Sequence, residues 1–535
     1  MIKSLRQPTV MSHDFSRVPS TDMQRSTFNR DHGYKTTMDS GYLIPIFVDE
    51  ALPGDTFSVR LSAVSRLATP IVPFMDNLYM DFFFFAVPNR LLWSNWERFM
   101  GQQDSPGDTT DYLVPKINSP VGGWPIGSLA DYMGIPPLQD YSEVNALHFR
   151  AYNLCYQEWF KDENLQDSPN IVKDDGPDNP ADYNILRRGK RRDYFTSCLP
   201  WPQKGDAVDL PIGSQAPVIG IGKTTPNYPE LNIPVYETEG FGTVVYPTSS
   251  RVSNSQDDMQ VRILQDEDNI GHPAIYADLS NATAATINSL REAFQLQRML
   301  ERDARGGTRY TEILRSHFKT VSPDARLQRP EYLGGGSTPI MVTPIAQTQA
   351  TSETVTPQGN LAAIGYTSTS GISWTKSFVE HSTLIGMCAI RADLNYQTGL
   401  SRMWSRQTKY DYYWPALAHL GEQEVLNKEI YLQGDPLADE NIFGYQERWA
   451  EYRYKPSLIT GKMRSVDPQS LDYWHLAQDF TALPVLNDAF IQDTPPVERV
   501  VAVTTEPQFV TDMFFKCKTT RPMPMYSVPG LIDHF

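Results

Sequence analysis

Asp76 to Pro88 reads DNLYMDFFFFAVP. Side chains alternate between the two faces of a strand, so Leu78, Met80, Phe82 and Phe84 point one way and Tyr79, Phe83 and Phe85 the other. Asp81 breaks the apolar run. A strand on a wetted surface alternates apolar with polar residues. One that is apolar on both sides is covered twice, once by the core of its own sandwich and once by a long insertion or a neighbouring chain. The expectation carried forward is that the central strands are too hydrophobic to stand alone, so that copies of the same chain complete the fold.

Other strand-like runs lie at the two ends of the sequence. After the turn at Leu52-Pro53-Gly54-Asp55, Phe57, Val59, Leu61 and Ala63 alternate with Thr56, Ser58, Arg60 and Ser62, the pattern of a half-exposed antiparallel strand. Strand character returns in Thr383 to Ile390 and again in Phe509 to Cys517, where Phe509, Met513 and Phe515 share a face. Between them come helical stripes: one after Asn89 using Leu92, Trp96 and Phe99, one capped by Ser142 using Leu147, Ala151, Leu154 and Cys155, and one after Ser280 using Ile287, Leu290, Phe294 and Leu300. Thr308 to Phe318 reads as a further helix, and Gly334 to Gly336 as a loop. Residues 1 to 40 lack a sustained period and read as an arm, either disordered or ordered only against another subunit. Residues 204 to 278 read as an elaborated surface insertion. One sheet system built from distant segments is the economical account. The fold class is therefore mainly β, a jelly-roll β-sandwich over 41 to 535, enlarged by loop and helical insertions.

The totals exclude several classes. With 535 residues, 40% hydrophobic and 21% charged, the chain has the balance of a folded protein. Its 47 basic and 63 acidic residues give a net charge of -16, which repels nucleic acid unless cations are concentrated locally or a basic partner is present. Cys155, Cys198, Cys388 and Cys517 lie far apart without a CxxC pair, which predicts free thiols and a reducing compartment. No apolar run approaches the roughly 18 residues of a membrane span, and no signal core opens the sequence. A chain made and kept on the cytosolic side, without membrane insertion, is expected.

Enzymatic motifs find no support. GIGKTT at Gly220 to Thr225 has the ring of a phosphate loop, but Pro217 stands where the first glycine belongs and removes an amide donor. His419 and Glu422 have the spacing of two helical ligands without a third. The acidic DDGPDNPAD from Asp174 lacks the glycine placement of a calcium loop. No cofactor is expected. The basic run RRGKRR is the best chemical candidate: Arg187, Arg188, Lys190, Arg191 and Arg192 can neutralise phosphates, and Tyr194 and Phe195 can stack bases. Against this stands a bland reading, a solvated loop whose charges pair with the acidic run just before it.

Several blocks carry a family resemblance: DHGYKTTMDSGYLIPIFVDEALPGDTF from Asp31, LATPIVPFMDNLYMDFFFFAVPNR, RRGKRRDYFTSCLPWPQKG, SPDARLQRPEYLGGGSTPI, YWPALAHLGEQEVLNKEIY and the terminal RPMPMYSVPGLIDHF. Together they resemble the major capsid proteins of the Microviridae, in the gokushovirus branch of small single-stranded DNA bacteriophages, over most of the chain. Residues 204 to 278 and 437 to 442 depart most. The resemblance implies self-assembly into an icosahedral shell around a single-stranded DNA genome, a virion location after assembly in the bacterial cytoplasm, and a three-fold protrusion from residues 204 to 278 that meets a host cell-surface receptor. The acidic balance further predicts a small basic DNA-binding virion protein as partner, with Arg187 to Arg192 helping where they face inward. The rival from another class is an aromatic-rich carbohydrate-binding or carbohydrate-active β-sandwich, supported by composition alone.

Overall fold

A computed structural model describes residues 24–208, 287–321, 328–349 and 358–526, with short strands between 218 and 277. The chain separates into two compact units, 1–202 with 307–535, and 203–306.

The first unit contains eight long strands: β1 His32–Met38, β2 Ile44–Ala51, β3 Thr56–Leu67, β4 Leu78–Pro88, β5 Glu331–Ala346, β6 Leu361–Ser377, β7 Ser382–Ala392 and β8 Phe509–Arg521. All pairings are antiparallel. They run β1-β8-β3-β6 in one layer and β2-β7-β4-β5 in the other. The layers join along β5, whose first part pairs with β4 and whose last residues, Met341 to Ala346, pair with β6. Eight strands in that order form a jelly roll. Helices α1 Leu147–Trp159 and α3 Tyr310–Phe318 lie in the long connection from β4 to β5.

Strand β4 sits where its sequence demands. Phe82 and Phe84 enter the core between the layers with Phe57, Trp374 and Phe515. Phe84 and Trp374 have ring centroids 6.1 Å apart. On the other face, Phe85 and Val87 pack into a second core with Trp93, Phe149 and Tyr152, and Phe83 borders it. Tyr152 of α1 donates from its hydroxyl to the Leu43 carbonyl at 2.8 Å. Phe85 is only 1% exposed in the single chain. The cover is thus the chain's own insertion, and the expectation that copies of the chain must seal these phenylalanines does not hold. Each such ring contributes about 2 kcal/mol by leaving water, reason enough for one chain to supply the lid.

Three further expectations are corrected. Gly334 to Gly336 lie inside β5, because the sheet needs glycine there rather than because the chain turns: a Cβ at Gly335 would lie 2.1 Å from the Phe82 carbonyl oxygen. Residues 26 to 38 are not arm, since the short strand Ser26–Asn29 and β1 both pair with β8; residues 1–23 lie outside the described residues, as does the apolar C-terminus from 527. Helix α1 starts at Leu147, not at Ser142, with Asn145 accepting from the Leu147 amide.

Among its described residues, the second unit has antiparallel strands and one helix, α2 Ile287–Arg305. Ile221–Thr224 form a strand paired with Asp257–Ile263, so GIGKTT does not fold as a phosphate loop; its Gly220 and Thr225 lie outside the described residues. Of the α2 stripe, Ile287 and Phe294 are exposed. Among the described residues no helix is long and apolar enough to cross a membrane. All four cysteines are free and buried.

Candidate nucleic-acid interface

The basic run is laid down as an extended segment. The Arg188 amide donates to the Gly41 carbonyl, the Lys190 amide to Ile491, and the Asp493 amide to Arg188. Alternation then divides the cations. Arg188 turns onto β4 and pairs with Asp81, which Arg391 of β7 also meets through Nε at 2.8 Å. Asp81, the polar interruption in the aromatic strand, is therefore the anchor for two guanidiniums. Burial would raise its carboxyl, but the Ser337 hydrogen bond and both arginines outweigh that and hold it below the usual carboxylate range.

Two more cations are tied internally. Arg187 donates to the Tyr42 hydroxyl at 2.9 Å and lies 4.0 Å over that ring. Lys190 is buried, donates to the Phe490 carbonyl at 2.7 Å and lies 4.6 Å over the Phe490 ring. Burial pushes its ammonium down to about 8, with Asp493 and Asp193 partly opposing. Burial likewise pushes Asp493 up to about 7, against the pull of Lys190 and Arg188. Only Arg191 and Arg192 of the five are exposed, and Arg192 meets Asp162 at 2.7 Å.

Tyr194 and Phe195 are buried in a third core cluster. Tyr194 donates to Glu429 at 2.9 Å, and Phe195 sits 5.0 Å from the Tyr396 ring. Neither offers a face to a base, because the chain dives inward after Asp193. The acidic run does not pair with the basic one. Asp178 and Asp174 meet Arg150 of α1 at 2.5 and 3.6 Å, and Asp175 accepts from the Trp93 indole at 2.7 Å. His419 and Glu422 share no helix, since Glu422 opens a strand. Among the described residues no group of His, Cys, Asp and Glu could hold a metal ion.

What the run does border is an open cavity of about 460 Å³. Its rim carries Arg188, Lys190, Arg191, Arg192, Lys161 and Arg309, and its wall is aromatic. Phe83 and Phe85 come from β4, Trp159 and Phe160 from the end of α1, and Tyr332 from β5. Phe83 lies 5.1 Å from Phe160 and Phe85 5.5 Å from Tyr332, while Arg329 caps Trp159 at 4.6 Å. A cationic rim over an aromatic wall suits a flat ring joined to an anion; the Thr196 hydroxyl that also lines it is hydrogen-bonded to the Arg191 carbonyl at 2.7 Å and to the Asp193 carboxylate at 3.0 Å. Sequence reading missed these aromatics because they come from three distant segments. The one available signal was the second apolar face of β4.

A family model described as "Capsid protein (F protein)" matches residues 16–531. The chain belongs to this capsid-protein family. It is 48% identical over 538 residues to "Capsid protein VP1" of Bdellovibrio phage phiMH2K, covering 98% of each chain. Identity to the proteins of the same name from Chlamydia phage 1 and Spiroplasma virus 4 is 42% and 38%, over 99% of this chain and 100% of each relative. The capsid chain is thus of the gokushovirus type within the Microviridae, a structural protein of the virion and not an enzyme. The carbohydrate-active rival falls with that finding.

Proposed function

We infer that the chain closes with copies of itself into an icosahedral shell around single-stranded DNA, assembling in the cytoplasm of its bacterial host. The observation that carries this is the end-to-end likeness to phage capsid proteins. A second feature supports it: between β7 and β8 the monomer leaves a dense aromatic surface in water. Trp404 is 71% exposed and Trp414 51%, and Tyr410, Tyr412, Tyr452 and Tyr454 are exposed as well. Arg406 lies 4.3 Å over Tyr452 and 5.4 Å over Tyr412. Trp, Tyr and Arg are the residues that dominate binding at protein interfaces, and soluble monomers rarely leave such a surface bare.

Residues 204 to 278 serve host attachment at a cell-surface receptor in this reading, and a small basic virion protein supplies most of the counter-charge to the genome. The basic run contributes through Arg191 and Arg192, the two of its five cations that face water. The other three hold the fold, so the test uses the exposed pair. Arg191→Gln with Arg192→Gln is expected to leave shell yield unchanged and to lower DNA per particle by quantitative PCR after nuclease treatment. Equal DNA per particle would remove the pair from the genome contact.

A further inference from the structure

Among the described residues, one outer face of the sandwich is covered by the insertion that carries α1, while on the other, on β1-β8-β3-β6, the outward side chains around Arg60, Phe514 and Lys516 are exposed. We propose that this bare face is a binding surface for single-stranded nucleic acid, with Arg60, Lys516 and Lys518 on phosphates and Phe514 as a stacking ring. The proposal rests on the capsid reading above but not on the Arg191 and Arg192 contact, which belongs to the outer face of the opposite layer.

The register puts like charges together. Lys516 of β8 stands directly opposite Arg60 of β3, and Lys518 follows opposite Ser58. Facing side chains in a sheet have Cβ atoms about 5 Å apart, and alternate residues along a strand are ~6.8 Å apart, so three cations occupy one small field. Like charges placed directly opposite one another weaken an isolated sheet. Among the described residues Arg60, Lys516 and Lys518 form no ion pair, nor does Arg66 further along β3. On the outward positions of β3, β6 and β8 the single carboxylate is Asp512, which Lys35 already holds at 2.8 Å; at the edge of β8 the exposed Asp31 carboxylate accepts from the Cys517 amide at 2.9 Å, so the field of cations exceeds its carboxylates rather than lacking them. In a chain of net charge -16, an incompletely compensated cationic field on a regular sheet calls for an anionic partner.

Two features favour nucleic acid over an acidic protein surface. Phe514, at the position opposite Ser62 and next to Lys516 on the same face, is 43% exposed, so a flat apolar ring lies within the charged field. The remaining outward residues beside the cations are hydroxyls, Ser58, Ser62, Ser373 and Thr375, which donate to phosphate oxygens without adding charge.

The test substitutes Arg60→Gln, Lys516→Gln and Lys518→Gln together in the full chain. These side chains are exposed and mutually repelling, so folding stability is expected to hold or rise. Shells formed by the triple variant should carry less nuclease-protected DNA than those of the wild type. Purified protein titrated with a single-stranded oligonucleotide should show a salt dependence of log K shallower by about 2, from the loss of three phosphate contacts. Phe514→Ala should weaken that binding without changing the slope. The oligonucleotide titration decides the matter for a variant that folds without forming shells. An unchanged salt slope overturns the proposal. So does a fall in shell yield with DNA per particle and slope both unchanged, which would mean that a neighbouring subunit covers the face. Loss of DNA with Arg191 and Arg192 replaced, but not with this triple, assigns the genome contact to the cavity instead. Failure of the wild type to form any shell would strike the capsid reading and leave the oligonucleotide result standing on its own.

Discussion

Asp81 carries a disproportionate share of the architecture for one side chain. It stands among tyrosine and phenylalanines on the outward face of β4, and the guanidiniums of Arg188 and Arg391 converge on it. Its position was legible in the sequence as an interruption; its partners were not, since they lie 107 and 310 residues away. Breaking a buried charge cluster by removing one member leaves the others uncompensated. Asp81→Asn is therefore expected to lower stability at neutral pH by about 3–5 kcal/mol in urea denaturation. The carboxyl titrates below its ordinary value of 3.8 in the folded chain. Its contribution is then complete above that pH and is lost as pH falls through the lower, folded-state value. The gap between wild type and variant should close in strong acid; a gap independent of pH would mean that shape rather than charge is what Asp81 supplies. The same logic explains why the basic run was half misread. Composition identifies five cations, but only tertiary placement tells that Arg187, Arg188 and Lys190 are braces.

At the scale of the element, strands with plain alternation were readable, and so were the insertions between them. Strands β3 and β8 lie where periodicity puts them, and β7, buried along its whole length, lies where its apolar run puts it. Strands β5 and β6 escaped because glycine and proline weaken a strand signal that depends on side chains, although the backbone there is paired except at the irregularities beside Leu333 and at Ser370-Gly371. Their glycines answer to neighbours. A Cβ on Gly335 would meet the Phe82 carbonyl at 2.1 Å, whereas a Cβ on Gly371 of β6 would meet nothing within 4 Å. Gly335→Ala should cost several kcal/mol or prevent folding, and Gly371→Ala should be near neutral in thermal denaturation. Equal effects would show that β5 glycines serve chain flexibility and not close approach.

For the whole molecule, the sandwich is sealed by its own chain, so association is not needed to hide the phenylalanines of β4. We therefore place the drive to assemble on the surface, in the exposed aromatic field between β7 and β8. That division suits a shell subunit, which folds first and then joins its neighbours through many modest contacts under closed symmetry. The jelly roll was legible from strand clustering at the chain ends; the cavity and the bare cationic face were not, because each is made by strands that meet only in three dimensions. Sedimentation velocity of the purified full-length chain, with electron microscopy of the fast fraction, tests the account most directly. Uniform closed particles are expected, lost when Trp404 and Trp414 are both replaced by alanine while the monomer stays folded. A wild-type chain that remained a monomer at every concentration would contradict it.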